Sequence, residues 1–171
     1  MGKKTFTITY TGLMTALTVA ALYLSAAAAN LRLSFAAIAS LFAASALIEA
    51  GWGAAVFVYA GAGLLSGLLL PSKDGVLLYL LFFGYYPIVK SLVERLPKAL
   101  SWAVKLLVFN GAFTVLRLFF QGLFAPGLMA ISPVPLYRLM SAAFCVFDLG
   151  YSKLLHFYAQ RISKYLRKNQ R

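Results

Sequence analysis

At 171 residues and 62% hydrophobic, with a mean hydropathy of +0.83, the chain is too apolar for an ordinary soluble domain, where roughly half the residues are apolar. Its formal charge of +12 comes from 16 Lys and Arg against 4 Asp and Glu. These charges sit at the ends of apolar stretches, where membrane topology and anionic lipid headgroups account for them and nucleic acid does not.

Six apolar stretches follow one another, each near the roughly 20 residues that a helix needs to cross a hydrocarbon core of about 30 Å. Lipid offers no partner to an unpaired backbone group. The expected fold is therefore all-α, an integral membrane bundle of six transmembrane helices. It is expected as a single domain over residues 1–171, with a basic cytoplasmic tail from about residue 161.

The first helix is expected from Thr11 to Ala29, stopping at Asn30-Leu31-Arg32. Lys3-Lys4, an apolar run and Ala26-Ala27-Ala28 have the layout of a secretory leader. The run is long for a leader and further spans follow, so it is read as a retained span. Ser34 to Leu70 is about twice a span and breaks at Glu49-Ala50-Gly51-Trp52-Gly53, giving a second and a third helix. Pro71-Ser72-Lys73-Asp74-Gly75 is the clearest turn. A fourth helix is expected from Val76 to Leu92, a polar loop at Glu94-Arg95-Leu96-Pro97-Lys98, and a fifth helix from Ala99 to Phe120. A loop from Gly122 to Pro135 leads to a sixth helix that starts near Leu136 and runs past His156 into the basic tail. The single cysteine, Cys145, lies inside this last stretch; it excludes an internal disulfide and makes neither a zinc site nor a reactive dyad.

Orientation follows from the Lys and Arg count on alternate sides. With the N-terminus inside, the cytoplasmic side receives Lys3, Lys4, Lys90, Arg95, Lys98, Arg161, Lys164, Arg167, Lys168 and Arg171. The outer loops receive Arg32 and Lys73. An even number of spans places both basic termini on the cytoplasmic face, where the tail is expected to meet anionic lipid.

Small residues recur every fourth position on the first helix, at Gly12, Ala16 and Ala20, and again at Ala39-Ala43 and Gly63-Gly67. Such a stripe lets helix backbones approach closely. It serves either packing inside one bundle or docking of the first helix on a separate protein.

Ionisable residues inside spans are costly and point to partners or function. Lys105 and Arg117 lie on the fifth helix, Arg138 and Asp148 on the sixth. At 1.5 Å per residue, Asp148 lies roughly 18 Å below the outer start of its helix and Lys105 roughly 10 Å above the inner start of its own. These depths agree on a bilayer scale, so Asp148 is expected to pair with Lys105 or with Lys90. Arg117 and Arg138 lie toward the outer ends of adjacent helices, where snorkelling to the interface explains either one alone. Together, with no carboxylate nearby in sequence, they would repel unless an anion sat between them. This suggests an outward-facing anion site with Gln121 at its edge. Asn30, Asp74, Tyr79, Tyr85, Tyr86 and Asn110 are candidates to line the same cavity, the tyrosines also fitting an interfacial belt.

Enzyme signatures do not emerge. Gly63-Leu64-Leu65-Ser66-Gly67 departs from an intramembrane serine-protease pattern by one residue, and the single His156 falls at the wrong helix end for it. Glu49, Asp74, Glu94 and Asp148 are scattered, without metal-ligand spacing. There is no P-loop, so this chain alone does not hydrolyse ATP. No catalytic residue, metal or cofactor is expected.

Six spans in this length, cytoplasmic termini, the alanine-rich first helix and the Gly-rich helix from Gly53 to Gly67 ending at the Pro71–Gly75 turn resemble the substrate-binding S subunits of energy-coupling-factor transporters. The resemblance implies a small solute captured from outside by the loops after the first, third and fifth helices. Here those are Asn30 to Ser34, which includes Arg32, then Pro71 to Gly75, and Gln121 to Pro135. It implies a transmembrane coupling subunit docked on Ala16 and Ala20, with ATPase subunits supplying energy. Rod-shape-determining proteins of the cell-wall machinery resemble the same scaffold, and they imply instead a non-transporting protein that recruits partners.

Overall fold

The computed structural model describes residues 3–119 and 132–168. Among these the chain is all-helical, with no strand. Helix α1 spans Lys3–Ala27, and a short 3₁₀ turn at Ala29–Leu31 leads into α2, Arg32–Ala50. Helix α3 spans Trp52–Leu69, and α4, Asp74–Leu78, runs on into a π-helical turn at Tyr79–Phe83. Then come α5, Tyr86–Val93, α6, Lys98–Phe119, and α7, Pro133–Lys168. Five segments are long and apolar enough to cross a membrane: Lys4–Ala27, Arg32–Ala50, Trp52–Leu69, Asp74–Val93 and Lys98–Phe119. Helix α7 has 36 residues, about 54 Å at 1.5 Å each, so it outreaches a hydrocarbon core of about 30 Å.

Three boundaries differ from the sequence expectation, each for a local reason. Helix α1 starts at Lys3 and not near Thr11. The alternating Thr5, Thr7, Thr9 and Thr11 suit a strand as well as a helix. The helix absorbs such hydroxyls by back-bonding: Thr11 Oγ1 donates to the Thr7 carbonyl at 2.7 Å, Thr15 to Thr11 at 2.9 Å and Thr18 to Met14 at 2.7 Å. Phe6 also stacks on Tyr10 one turn on, at 5.4 Å between ring centroids.

The second difference is the fourth helix, which is not continuous. Pro87 has no N–H to give and its ring crowds the carbonyl four residues back, so an α-helix cannot run through it. The Gly84 amide instead donates to the Tyr79 carbonyl, five residues back, at 2.7 Å. The helix restarts with both Ile88 and Val89 amides on the Tyr85 carbonyl at 3.0 Å, leaving Pro87 in the first turn of α5, where its missing donor does no harm. Third, the region from about residue 161, expected as a tail, continues α7 as helix to Lys168.

The α2–α3 joint is a single residue. Gly51 has φ +88° and ψ −173°, a region that only glycine enters readily. Its amide closes α2 on the Leu47 carbonyl, and its own carbonyl accepts from Ala55 at the start of α3, both at 3.2 Å. One residue thereby ends one helix and begins the next.

The chain divides into two compact units, Met1–Ser91 with Leu155–Arg171, and Leu92–Leu154. In the first, α1, α2 and α3 pack together. Ala36, Ala39, Ala43, Ala44 and Ala46 of α2 are buried, so its neighbours approach its backbone closely. Ala39 joins a cluster with Leu22, Ala62, Leu70, Val76 and Tyr79, and Ala43 joins another with Tyr10, Met14, Ala54 and Val58. The end of α7 enters this unit through Tyr158, whose hydroxyl is 2.8 Å from that of Tyr10.

The second unit is an antiparallel pairing of α6 with the first part of α7. Thr114 meets Tyr137, Asn110 meets Ser141 and Lys105 meets Asp148, at 2.8, 3.3 and 3.1 Å. Each step back along α6 is matched by a similar step forward along α7. Aromatic rungs alternate with the polar ones: Phe113 edge-on to Tyr137 at 5.1 Å, and Phe109 stacked on Phe144 at 4.4 Å.

Two glycines carry the test of this account. Gly51→Ala should cost about 1–3 kcal/mol, since the side chain forces an unfavourable φ although space around it is open. Gly84→Ala should cost a similar amount, about 1–3 kcal/mol, for the opposite reason: its Cβ would lie 2.7 Å from ring atoms of both Tyr59 and Tyr79. Thermal unfolding of the detergent-solubilised protein should show both midpoints lowered, with Gly12→Ala, where nothing lies within 4 Å, unchanged.

Candidate functional site

Polar and aromatic groups gather at one end of the first unit, where α1 ends, α2 begins, α3 ends and α4 begins. The Ser25 hydroxyl donates to the Arg32 carbonyl at 3.1 Å, holding the α1–α2 connection. Arg32 Nη1 forms an ion pair with Asp74 Oδ2, tying the start of α2 to the start of α4. A Cβ at Gly75 would collide with the Ser25 side chain, so glycine is what lets α4 sit there. Lys73 donates to the Gly67 and Leu70 carbonyls, a cation capping the C-terminal end of α3, where the helix dipole favours one.

Below this end lies the interrupted helix. Tyr79, fully buried, is tilted toward Tyr59 at 6.0 Å, and Tyr85 meets Tyr59 edge-on at 6.4 Å. The Tyr59 hydroxyl donates to the Leu80 carbonyl inside the π turn at 3.1 Å. Tyr86 is buried under the Lys90 ammonium, 5.9 Å above its ring. Arg32 Nε and Ser66 Oγ are buried here and have no hydrogen-bond partner. Most other buried hydroxyls on these helices back-bond to a carbonyl three or four residues earlier, as Ser40 and Ser45 do at 2.7 and 2.8 Å.

The second unit holds the buried charges. Lys105 Nζ lies 3.1 Å from Asp148 Oδ2 and 3.2 Å from Glu94 Oε1. The Lys105 and Asp148 side chains are 5% and 3% exposed, and that of Glu94 is 49% exposed. The Trp102 ring lies 5.4 Å from the same ammonium. The lysine thus bridges a buried carboxylate on α7 and a half-exposed one in the α5–α6 loop.

The residues read as ligand-binding from the sequence are therefore divided. Asn30, Arg32, Asp74, Tyr85 and Tyr86 belong to the first unit; Asn110, Arg117 and Arg138 belong to the second. Arg32 and Asp74 are brought together as an ion pair, and Asn30 is exposed. Asn110 Nδ2 donates to the Leu106 carbonyl at 2.8 Å, in addition to meeting Ser141. Arg117 is half-buried in the last turn of α6 and Arg138 is exposed on α7. No ion pair joins either to another described residue. Gln121 lies outside the described residues. Gly12, Ala16 and Ala20 form an exposed stripe on α1, flanked by exposed Leu13, Leu17 and Leu24. The opposite face, with Thr11, Thr15, Thr18 and Leu22, is the one buried against the unit. Ala39, Ala43 and Gly63, by contrast, pack inside.

Sequence reading passed over Ser25, Tyr59, Gly84 and the third member of the charge cluster, Glu94. Pro87 three residues after Gly84 was a signal for the helix break. Nothing comparable marks Ser25 or Tyr59, whose roles come from neighbours far away in sequence. Comparison with family models, curated proteins and solved structures gives no match for the chain.

Removing one partner of a buried ion pair strands the other charge, at a cost of about 3–5 kcal/mol. Lys105→Met and Asp148→Leu should each lower the yield of monodisperse protein sharply. The double exchange, Lys105→Asp with Asp148→Lys, should restore it by size-exclusion chromatography. A double exchange as damaged as the single variants would show that the pair does more than hold α6 to α7.

Proposed function

We propose that the chain is a membrane-embedded solute-binding subunit of an importer of the energy-coupling-factor type, inserted as six spans with both termini in the cytoplasm of a bacterial cell. The observation that carries this reading is the interrupted helix. Within Asp74–Val93, otherwise a single apolar candidate span, the backbone leaves the α-helix from Tyr79 to Tyr85. Irregular backbone at membrane depth is tolerated where protein buries it or where it lines a cavity, and broken helices are a common way to build solute sites in transporters. Tyr59, Tyr79, Tyr85 and Tyr86 supply the aromatic surroundings that small-ligand sites use.

In this reading the solute enters from the outer side. Arg32 supplies cationic charge suited to an anionic group on it. With no P-loop in the chain, delivery requires a coupling subunit and partner ATPases. The exposed stripe of Gly12, Ala16 and Ala20 supports docking of that coupling subunit, since α1 uses its other face for internal packing. The basic end of α7 meets anionic headgroups. The same exposed stripe also favours a second reading, a scaffold that recruits cell-envelope machinery and carries no solute.

Native mass spectrometry of gently extracted protein separates the two. The importer reading expects a retained small molecule and a co-purified coupling subunit; the scaffold reading expects cell-wall or division proteins and no small molecule. Ala16→Leu and Ala20→Leu should abolish partner recovery while leaving the elution profile of the protein itself unchanged, because both positions are exposed. For the topology, a reporter active only outside the cytoplasm should stay silent on either terminus; a signal from either end overturns the proposed orientation.

A further inference from the structure

We infer that Arg32 is an oxyanion-binding residue, presenting the Nε–Nη2 edge of its guanidinium to a carboxylate or phosphate group. A guanidinium has five donors in a fixed plane and binds such groups best through two parallel N–H bonds from one edge. In this chain Asp74 takes Nη1. Nη2 makes no hydrogen bond to a described residue, and Nε is buried without any partner. The side chain as a whole is 25% exposed, while Nε itself is buried. A buried N–H of a charged group left unsatisfied is costly, and an oxyanion on that edge removes the cost.

The surroundings fix the edge in place and favour an anion. Asp74 orients the guanidinium, and the Ser25 hydroxyl fixes the Arg32 backbone through its carbonyl. The charged side chains named at this end are Arg32, Lys73 and Asp74, a net single positive charge. Ser66 Oγ, also buried without a hydrogen-bond partner, lies on α3 four residues before Leu70, roughly 6 Å deeper along that helix. Ala62 and Leu70, four residues to either side of it, are members of the cluster that also contains Val76 and Tyr79 of the α4 segment. Two uncommitted polar groups thus share one end of the unit, one charged and near the surface, one neutral and deep. The inference rests on the solute-capture reading for its biological use and names the solute class as a small organic anion.

The test is a titration of full-length protein carrying ¹⁵N-labelled arginine side chains, in dodecyl maltoside micelles, which contain no phosphate. Acetate and inorganic phosphate should each give a saturable downfield shift of the Arg32 Nε–H resonance. Arg32→Lys keeps the charge and the Asp74 partner but lacks the planar edge; read at the Gly75 amide, it should bind phosphate about tenfold more weakly. Asp74→Asn leaves the edge intact and should retain the shift, which keeps the idea testable if the lysine variant fails to fold. A shift produced by phosphatidylglycerol but not by the soluble anions supports the same edge with a lipid headgroup as its source. An Arg32 resonance unmoved by acetate, phosphate and phosphatidylglycerol overturns the inference. If native mass spectra of that same protein still show a retained solute, the importer reading stands without this subsite. If Arg32 shifts but no solute or coupling subunit is recovered, the subsite stands without that reading.

Discussion

A polar group surrounded by apolar side chains has to find its partner within the chain, and most of this structure can be derived from how that demand is met. Each buried N–H, hydroxyl or charge without a partner costs on the order of 1–3 kcal/mol or more. The threonines of α1 meet the demand locally, by donating back to the carbonyl one turn earlier. Lys73 meets it for the carbonyls at the end of α3. Where no local partner exists, the demand dictates which helices come together. Lys105 and Asp148, one on each helix, cannot be buried separately, so α6 and α7 pair with a register that also aligns Asn110 with Ser141 and Thr114 with Tyr137.

The same constraint explains why the break between α4 and α5 lies where it does. Pro87 removes a donor from an apolar segment, and the chain responds with a π turn and a restart on the Tyr85 carbonyl. Gly84 makes the bend possible because Tyr59 and Tyr79 close on it from two sides. The hydroxyl of Tyr59 then enters the turn itself, on the Leu80 carbonyl. A defect in one helix has thereby gathered three aromatic residues from two elements. Ser66 Oγ and Arg32 Nε, both buried, have no such partner.

Helix α1 illustrates how packing chooses between two faces that the sequence makes about equally smooth. Gly12, Ala16 and Ala20 offer close approach on one side; Thr11, Thr15, Thr18 and Leu22 offer hydroxyls and bulk on the other. The unit uses the second. The alanines of α2 already provide the smooth surface on their side of the contact, and a larger, back-bonded face on α1 fills the space they leave. The small-residue stripe is left outward, among exposed leucines.

The sequence by itself determined the all-helical character, the positions of most turns and the presence of several long apolar helices, because hydrophobic run length and Gly, Pro and charge punctuation are local properties. It also limited the partner of Asp148 to two lysines, since depth along a helix follows from residue count alone. Only the tertiary structure decided which face of α1 turns inward and that Arg32 reaches Asp74 across 42 positions. It also decided that Tyr10 meets Tyr158 from the opposite end of the chain. Those contacts depend on how helices rotate about their own axes and settle against one another. That rotation is fixed by the packing of many side chains at once, so no single stretch of sequence encodes it.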